Sequence, residues 1–470
     1  MKRMICLALA LALAACAAPA PQSGTEAPAP ATAETAALTV GQPYTLPDTC
    51  GGYWGWNTGD AYYEYARDGQ SNSMAALTLK TDYATGRQEP VCKVPGCTHD
   101  SESCPAWLAD WGRISLMVFD DEVYFLYYAL DLESRQSYQE QGWEGYSQNL
   151  RGSEEYAAAG DKAAYEERAR RSYEQAISPS YLEKISADGL TRTRLFTLPE
   201  DMDWDVSFRW SDGAALYGVQ YGSSNHTAAL VRLDLVTGEL TTLPLRDTEW
   251  PLAVSGSRFL ISSVVSDEPL DWNSEPEVLN AQLQNATAVF SLLDFAADTR
   301  EVVYQEPYDP ITVYNGFSRI YNGKLYFLRV SAEDGSISRV WVECCDPADG
   351  QLHPVTDSLG TAIASPGTAS GFPPVRAGAG NRWMWLENYM TNEDWLLDLD
   401  TGELHEITQR QLRDGMWQMV STMAQTNDGR WMIGYAPHSA AHNDRCDYGF
   451  IAPEAFLAGS EQYDRVEMWP

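Results

Sequence analysis

From about Thr45 onward, short apolar runs alternate with Gly- and Asp-rich turns, and one pattern recurs along the chain. Its first half is a polar or glycine turn leading into an aromatic strand. Seven copies stand in the sequence: Gly59-Asp60-Ala61-Tyr62-Tyr63, Asp121-Glu122-Val123-Tyr124-Phe125, Gly213-Ala214-Ala215-Leu216-Tyr217, Gly256-Ser257-Arg258-Phe259-Leu260, Gly323-Lys324-Leu325-Tyr326-Phe327, Gly380-Asn381-Arg382-Trp383-Met384 and Gly429-Arg430-Trp431-Met432. The second half is an apolar strand closed by a Gly or Asp turn and a return strand. It appears around Thr85-Gly86, Asp188-Gly189, Thr237-Gly238, Asp298-Thr299, Asp349-Gly350 and Thr401-Gly402, and degenerates in the seventh copy to Ala452-Pro453-Glu454-Ala455-Phe456. Within the strands, alternation such as Val231-Arg232-Leu233-Asp234-Leu235 has the period of two that a β-strand requires.

The two halves keep the same order throughout, as a four-stranded antiparallel blade demands. Residues 46–470, less an insertion of about 50, leave roughly 54 per unit for seven units, near the ~40 to 50 of known propeller repeats. A chain of β-sandwiches would need linkers that are absent. The prediction is an all-β, seven-bladed β-propeller, with six or eight blades as the counting error. Strands beginning near Tyr124, Tyr217 and Tyr326 should then occupy equivalent places in separate sheets. One polar stretch, at about 131–180, breaks the pattern: Tyr165, Ala169 and Tyr173 recur at intervals of four among charged residues, which predicts a helical insertion in the second blade.

The first 15 residues read differently. Lys2 and Arg3 precede an apolar run from Ile5 to Ala15, too short to span a bilayer, and Leu13-Ala14-Ala15-Cys16 resembles the bacterial lipobox. Residues 1–15 are expected to be a lipoprotein signal peptide, with Cys16 lipidated after cleavage. Two or more acyl chains anchor a protein stably. Residues 16–45, rich in Ala, Pro, Thr and Glu, form an expected flexible tether. The body would sit on the outer face of the bacterial cytoplasmic membrane, held through its N-terminal lipid. Its 66 acidic against 32 basic residues give a net charge of -34, which repels phosphate backbones and argues against a nucleic-acid partner.

The densest chemical signal is Cys92-Lys93-Val94-Pro95-Gly96-Cys97-Thr98-His99-Asp100-Ser101-Glu102-Ser103-Cys104. Pro95-Gly96 favours a turn that brings Cys92 and Cys97 together, and tetrahedral zinc takes four N and S donors of this kind. Cys92, Cys97, His99 and Cys104 are therefore candidate ligands of a structural zinc. The exported location allows a second reading, a disulfide clip between Cys92 and Cys97 or Cys97 and Cys104. Seven cysteines remain besides Cys6 and Cys16, namely Cys50, Cys92, Cys97, Cys104, Cys344, Cys345 and Cys446, and an odd number cannot pair completely. His438, His442 and Cys446 lie at intervals of four, but Pro437, Ser439 and Asn443 read as a loop. Cys344 and Cys345 sit on a strand, where neighbours point to opposite faces, so at most one is expected to be buried.

The segment from Leu77 to Gly86, continued through the cysteine cluster to Cys104-Pro105-Ala106, resembles a recurring N-terminal signature of uncharacterised propeller-like lipoproteins of Gram-positive anaerobes. The stretch Phe450-Ile451-Ala452-Pro453-Glu454-Ala455-Phe456-Leu457-Ala458-Gly459 is similar to their closing blade. Together these cover about a tenth of the chain. The resemblance implies the same fold and anchor and lends no activity; an anaerobic source favours metal over disulfide.

Two functions fit. One is a ligand-binding or scaffolding propeller whose partner is a glycan or a protein, with Trp54, Trp56, Trp107, Trp111, Trp204 and Trp210 near strand ends as stacking surfaces. The alternative is an extracellular carbohydrate-active hydrolase or lyase with paired carboxylates. Asp201, Asp203, Asp205, Asp267 and Asp271 single out no pair, and the sequence has no G-x-S-x-G elbow and no H-E-x-x-H motif.

Overall fold

A computed structural model describes residues 55–67, 75–109, 114–130, 132–199, 206–221, 228–246, 248–270, 274–308, 317–333, 336–357, 359, 382–388, 393–413, 416–419, 421–437 and 446–470. Their strands form the seven blades of a β-propeller, each an antiparallel sheet of strands consecutive in sequence. Blade 1 contains Trp56–Asn57, Ala61–Arg67, Ala76–Asp82 and Arg87–Pro90. Blade 2 contains Ile114–Phe119, Glu122–Tyr127, Tyr181–Ile185 and Arg192–Thr197, and blade 3 Val206–Ser211, Ala215–Tyr221, Ala228–Asp234 and Leu240–Pro244. Blade 4 follows with Trp250–Ser255, Arg258–Val265, Thr287–Asp294 and Thr299–Pro307, and blade 5 with Phe317–Tyr321, Lys324–Glu333, Ser336–Asp346 and Gln351–Thr356. Blade 6 has Trp383–Asn388, Glu393–Asp398 and Leu404–Glu406; Gly380 and Asn381 of its predicted opening turn lie outside the described residues. Blade 7 has Ser421–Gln425, Trp431–Pro437, Cys446–Ile451 and Asp464–Arg465, preceded by a hairpin of Arg410–Arg413 and Met416–Met419. Tyr124, Tyr217 and Tyr326 stand on the second strands of blades 2, 3 and 5 respectively, each in a separate sheet, as the repeat predicts.

The first strands of blades 1 to 4 lie side by side, which makes them the innermost strands of the ring. Those of blades 3, 4, 5 and 7 each carry a register shift, the local extra residue that bends a strand. The turns that close the third and fourth strands repeat one chemistry. Asp82, Asp234, Asp294 and Asp346 end the third strands of their blades and Asp398 ends Glu393–Asp398 of blade 6, and each carboxylate accepts a backbone N–H two or three residues on. In blade 7 the turn is replaced by a helix, Pro453–Leu457, whose Phe456 is fully buried.

Seams between blades form the core. Tyr62 packs toward blade 7 and Tyr63 toward blade 2; Leu216 faces blade 2 and Tyr217 blade 4; Tyr326 faces blade 6 and Phe327 blade 4. Trp383 and Met384, and Trp431 and Met432, divide in the same way. The aromatic pair of each repeat is thus explained by alternation, because each blade is buried on both faces and needs a large side chain for each seam. Each such burial contributes about 1.5–3 kcal/mol.

The ring closes where blade 7 meets blade 1. Asn57 Nδ2 donates to the Gln425 carbonyl at 2.9 Å, and the buried Glu64 carboxylate accepts from Tyr448 Oη at 2.6 Å and from Gln88 Nε2 at 2.7 Å. The insertion emerges between the second and third strands of blade 2 as helices Leu132–Arg151, Glu154–Ala158 and Lys162–Ala176. Tyr173 packs against Tyr138, Trp143 and Tyr146, and Tyr165 against Tyr156. Arg151 and Tyr156 both hold the Glu166 carboxylate, whose pKa falls to about 2.

Candidate metal centre

The outermost strand of blade 1 is split. Arg87–Pro90 pairs with Leu79–Asp82, whereas Trp107–Leu108 pairs with Ala76–Leu77, and the chain between them leaves the sheet. Thr78 marks the break: its carbonyl accepts from Val91 N–H at 3.1 Å, and its N–H donates to the Ala106 carbonyl at 2.9 Å. The excursion from Val91 to Ala106 holds the cysteine and histidine cluster. Cys97 N–H closes a turn onto the Val94 carbonyl at 3.2 Å, with Gly96 at φ 72. His99 also takes a left-handed backbone, φ 60, which turns its side chain back toward the cysteines. A last turn, Cys104 N–H to the Ser101 carbonyl at 2.9 Å, returns the chain to the sheet.

These turns bring together all four predicted ligands. One donor atom each from Cys92, Cys97, His99 and Cys104 lies within 4.8 Å of the others, and His99 Nδ1 is 3.3 Å from Cys104 Sγ. Cys92 and Cys104 are buried in the core between blades 1 and 2; Cys97 and His99 are half-buried. All three cysteines are free thiols, without the disulfide clip of the second reading. Burial, and then the adjacent Cys92 and Cys97 thiols, push Cys104 up to about 12. Burial likewise raises Cys92, and burial followed by the nearby Lys93 lowers His99, which favours the neutral imidazole that ligates metals. The buried Cys92 and Cys104 thiols resist deprotonation, and a divalent cation reverses that balance. Tetrahedral zinc with bonds of about 2.3 Å to sulfur sets donors about 3.8 Å apart, and the four donors here lie within 4.8 Å of one another. The donor set and its spacing therefore fit a metal such as zinc.

Groups far away in sequence surround the site. Lys93 N–H donates to the Gly189 carbonyl at 2.9 Å, and a Cβ on Gly189 would stand 2.4 Å from the Val91 carbonyl oxygen. Arg192 Nη1 donates to the carbonyls of Trp107 at 2.6 Å and Pro105 at 3.3 Å. Glu102 pairs with Arg171 of the insertion at 3.0 Å, and the Trp469 ring meets the His99 ring edge-on at 5.7 Å. No local sequence signal points to Gly189, Arg192, Arg171 or Trp469 as neighbours of the cluster.

The remaining candidates separate. Cys344 and Cys345 are both buried, which corrects the expectation that only one would be: the opposite faces of the strand pack against different neighbouring blades. Cys446 is half-buried on a strand, while His438 and His442 lie outside the described residues. So do Cys16, Cys50, Trp54, Trp111, Trp204, Asp201, Asp203, Asp205 and Asp271. Trp56 is buried edge-on against Phe119, Trp107 and Trp210 are half-buried against core residues, and Asp267 is exposed. Among the described residues, no helix is long and apolar enough to cross a membrane.

No protein-family model matches the sequence, and no curated protein matches it. Solved structures align with it as folds. A prolyl endopeptidase structure aligns over 91% of this chain and 50% of its own at 9% identity, with a TM-score of 0.44. Polysaccharide lyase Uly1 aligns over 84% of this chain and 88% of its own at 9% identity, with a TM-score of 0.43. An acylaminoacyl peptidase of Pyrococcus horikoshii aligns over 72% of this chain at 12% identity with a TM-score of 0.33, and the match spans 51% of that peptidase. Likenesses at this level carry no argument about activity.

Proposed function

We propose that this chain is a lipid-anchored, extracytoplasmic β-propeller that binds or scaffolds a glycan or protein ligand, with a structural zinc ion held by Cys92, Cys97, His99 and Cys104. The observation that carries the zinc reading is the convergence of these four donors at the edge of a blade. Four protein ligands close the coordination shell and leave no position for water or substrate, so the ion stabilises the fold and takes part in no reaction.

The binding role draws support from how the connections are distributed. The turns after first and third strands lie on one face of the ring and are short in blades 2 to 5. The connections after second strands lie on the other face and carry the three helices of blade 2 and the helix Pro276–Leu283 of blade 4. Long connections on a rigid scaffold are where ligands are met. The anchor is inferred from the basic start, apolar run and Cys16 of the first residues, and it places the body outside the cytoplasmic membrane of a bacterium.

Elemental analysis and a free-thiol count on the purified protein test the zinc, which should bind at one equivalent and be lost in His99→Ala. A metal-free protein with a bridged cysteine pair would overturn it. Cys16→Ser should release the protein from membranes; a variant that still pellets with them after a salt wash would remove the lipid anchor from the reading.

A further inference from the structure

Resting on the zinc reading above, we infer that the metal is the latch of the ring: it holds the His99 loop in the shape against which the closing segment Asp464–Trp469 docks, and so couples metal occupancy to closure between blades 7 and 1. The need for a latch follows from the topology. Every blade is built from consecutive strands, so no sheet combines the beginning and the end of the described chain. Blade 1 comes entirely from residues before 109 and blade 7 entirely from residues after 420, and the ring is held at this seam by packing and hydrogen bonds across it.

The closing segment makes much of that connection. Asp464–Arg465 pairs with Gly449 and Phe450 of blade 7, Val466 enters the core between blades 7 and 1, and Glu467 bridges in parallel to Arg87 on the outer edge of blade 1. Gln88 N–H donates to the Glu467 carbonyl at 2.9 Å, and Glu467 N–H donates to the Gly86 carbonyl at 2.8 Å. Trp469 N–H then reaches Gln88 Oε1 at 3.4 Å, while Gln88 Nε2 holds Glu64, the carboxylate that takes the Tyr448 hydroxyl of blade 7. Trp469 thus meets both Gln88 and, in a T-shaped contact, the His99 ring.

His99 is the support that depends on metal. Its left-handed backbone is strained for a non-glycine residue, and a bond from its ring to the ion would hold that conformation in place. The same loop grips blade 2 through Gly189, Arg192 and Arg171. One ion therefore ties together blade 1, blade 2 with its insertion, and the closing segment.

Hydrogen exchange resolved to single amides tests the latch on the full-length protein, loaded with zinc or stripped by a chelator. Chelation should speed exchange of the Gln88 and Glu467 amides at least about tenfold while leaving Leu260 and Phe327, in the seam between blades 4 and 5, unchanged. Trp469→Ala should still bind one zinc, yet show the fast exchange at Gln88 and Glu467 even when loaded. If zinc binds at one equivalent and these two amides ignore its removal, or if Trp469→Ala exchanges like the wild type, the latch is wrong and the zinc reading stands. A uniform rise around the ring also overturns the latch, since the ion would then act on the whole fold. Absence of zinc binding removes both.

Discussion

Cys344 and Cys345 are consecutive in the chain and are buried in different cores, Cys344 between blades 5 and 6 and Cys345 between blades 4 and 5. Burial raises the pKa of both thiols, that of Cys345 to about 12, so neither is poised as a nucleophile.

Replacing either cysteine by serine should destabilise the protein, because each substitution puts a hydroxyl into an apolar seam at a cost of about 1–3 kcal/mol. Urea unfolding of Cys344→Ser and Cys345→Ser checks this. A blade with one solvated face would show a loss at one position only.

Gly189 and Gly96 both have left-handed backbones, at φ 71 and φ 72, but only Gly189 is crowded. Gly96→Ala should cost about 1–2 kcal/mol, the conformational penalty alone. Gly189→Ala should cost more, since its Cβ would meet the Val91 carbonyl oxygen and push blade 2 away from the metal loop. The difference between the two variants, read from denaturation midpoints, measures that contact.

Chelation should lower the melting temperature of the zinc-loaded protein, and His99→Ala should weaken zinc binding by more than about 100-fold, beyond the loss typical of residues that merely orient a ligand. Reductant alone should leave the melting temperature unchanged. A disulfide in solution would give the opposite pattern, sensitive to reductant and indifferent to chelator and to His99.

The Asp234 carboxyl is held down to about 2, first by the backbone N–H of Thr237 and then by that of Val236. In the unfolded chain it titrates near ~3.9. A depressed carboxylate contributes stability that is fully present above the unfolded value and is lost as pH falls toward the folded one. The turn after the third strand of blade 3 should therefore loosen between about pH 4 and pH 2. Titration of Asp234 by NMR, and a smaller acid sensitivity in Asp234→Asn, are the expected results.

Much of the fold was legible because it repeats. Turn residues such as Asp234-Leu235-Val236-Thr237-Gly238 satisfy their own backbone locally, and the paired aromatics of Tyr62-Tyr63 or Tyr326-Phe327 announce a strand without needing a partner in view. The cysteine and histidine cluster was legible for the same reason: its ligands fall within one short segment whose turns need only Pro95, Gly96 and hydrogen bonds between near neighbours. What the sequence determined by itself was set by short-range physics, namely turns, periodicity and the spacing of donors. Only the tertiary structure decided that both faces of each blade are buried, since a period of two is the same whether the second face meets water or another blade. Only it brought Arg171 to Glu102 and Gly189 to Lys93, where blade 2 packs on blade 1, and Trp469 to His99, where blade 7 closes the ring. Such contacts follow from the geometry of seven packed blades, and no local pattern in the chain encodes them.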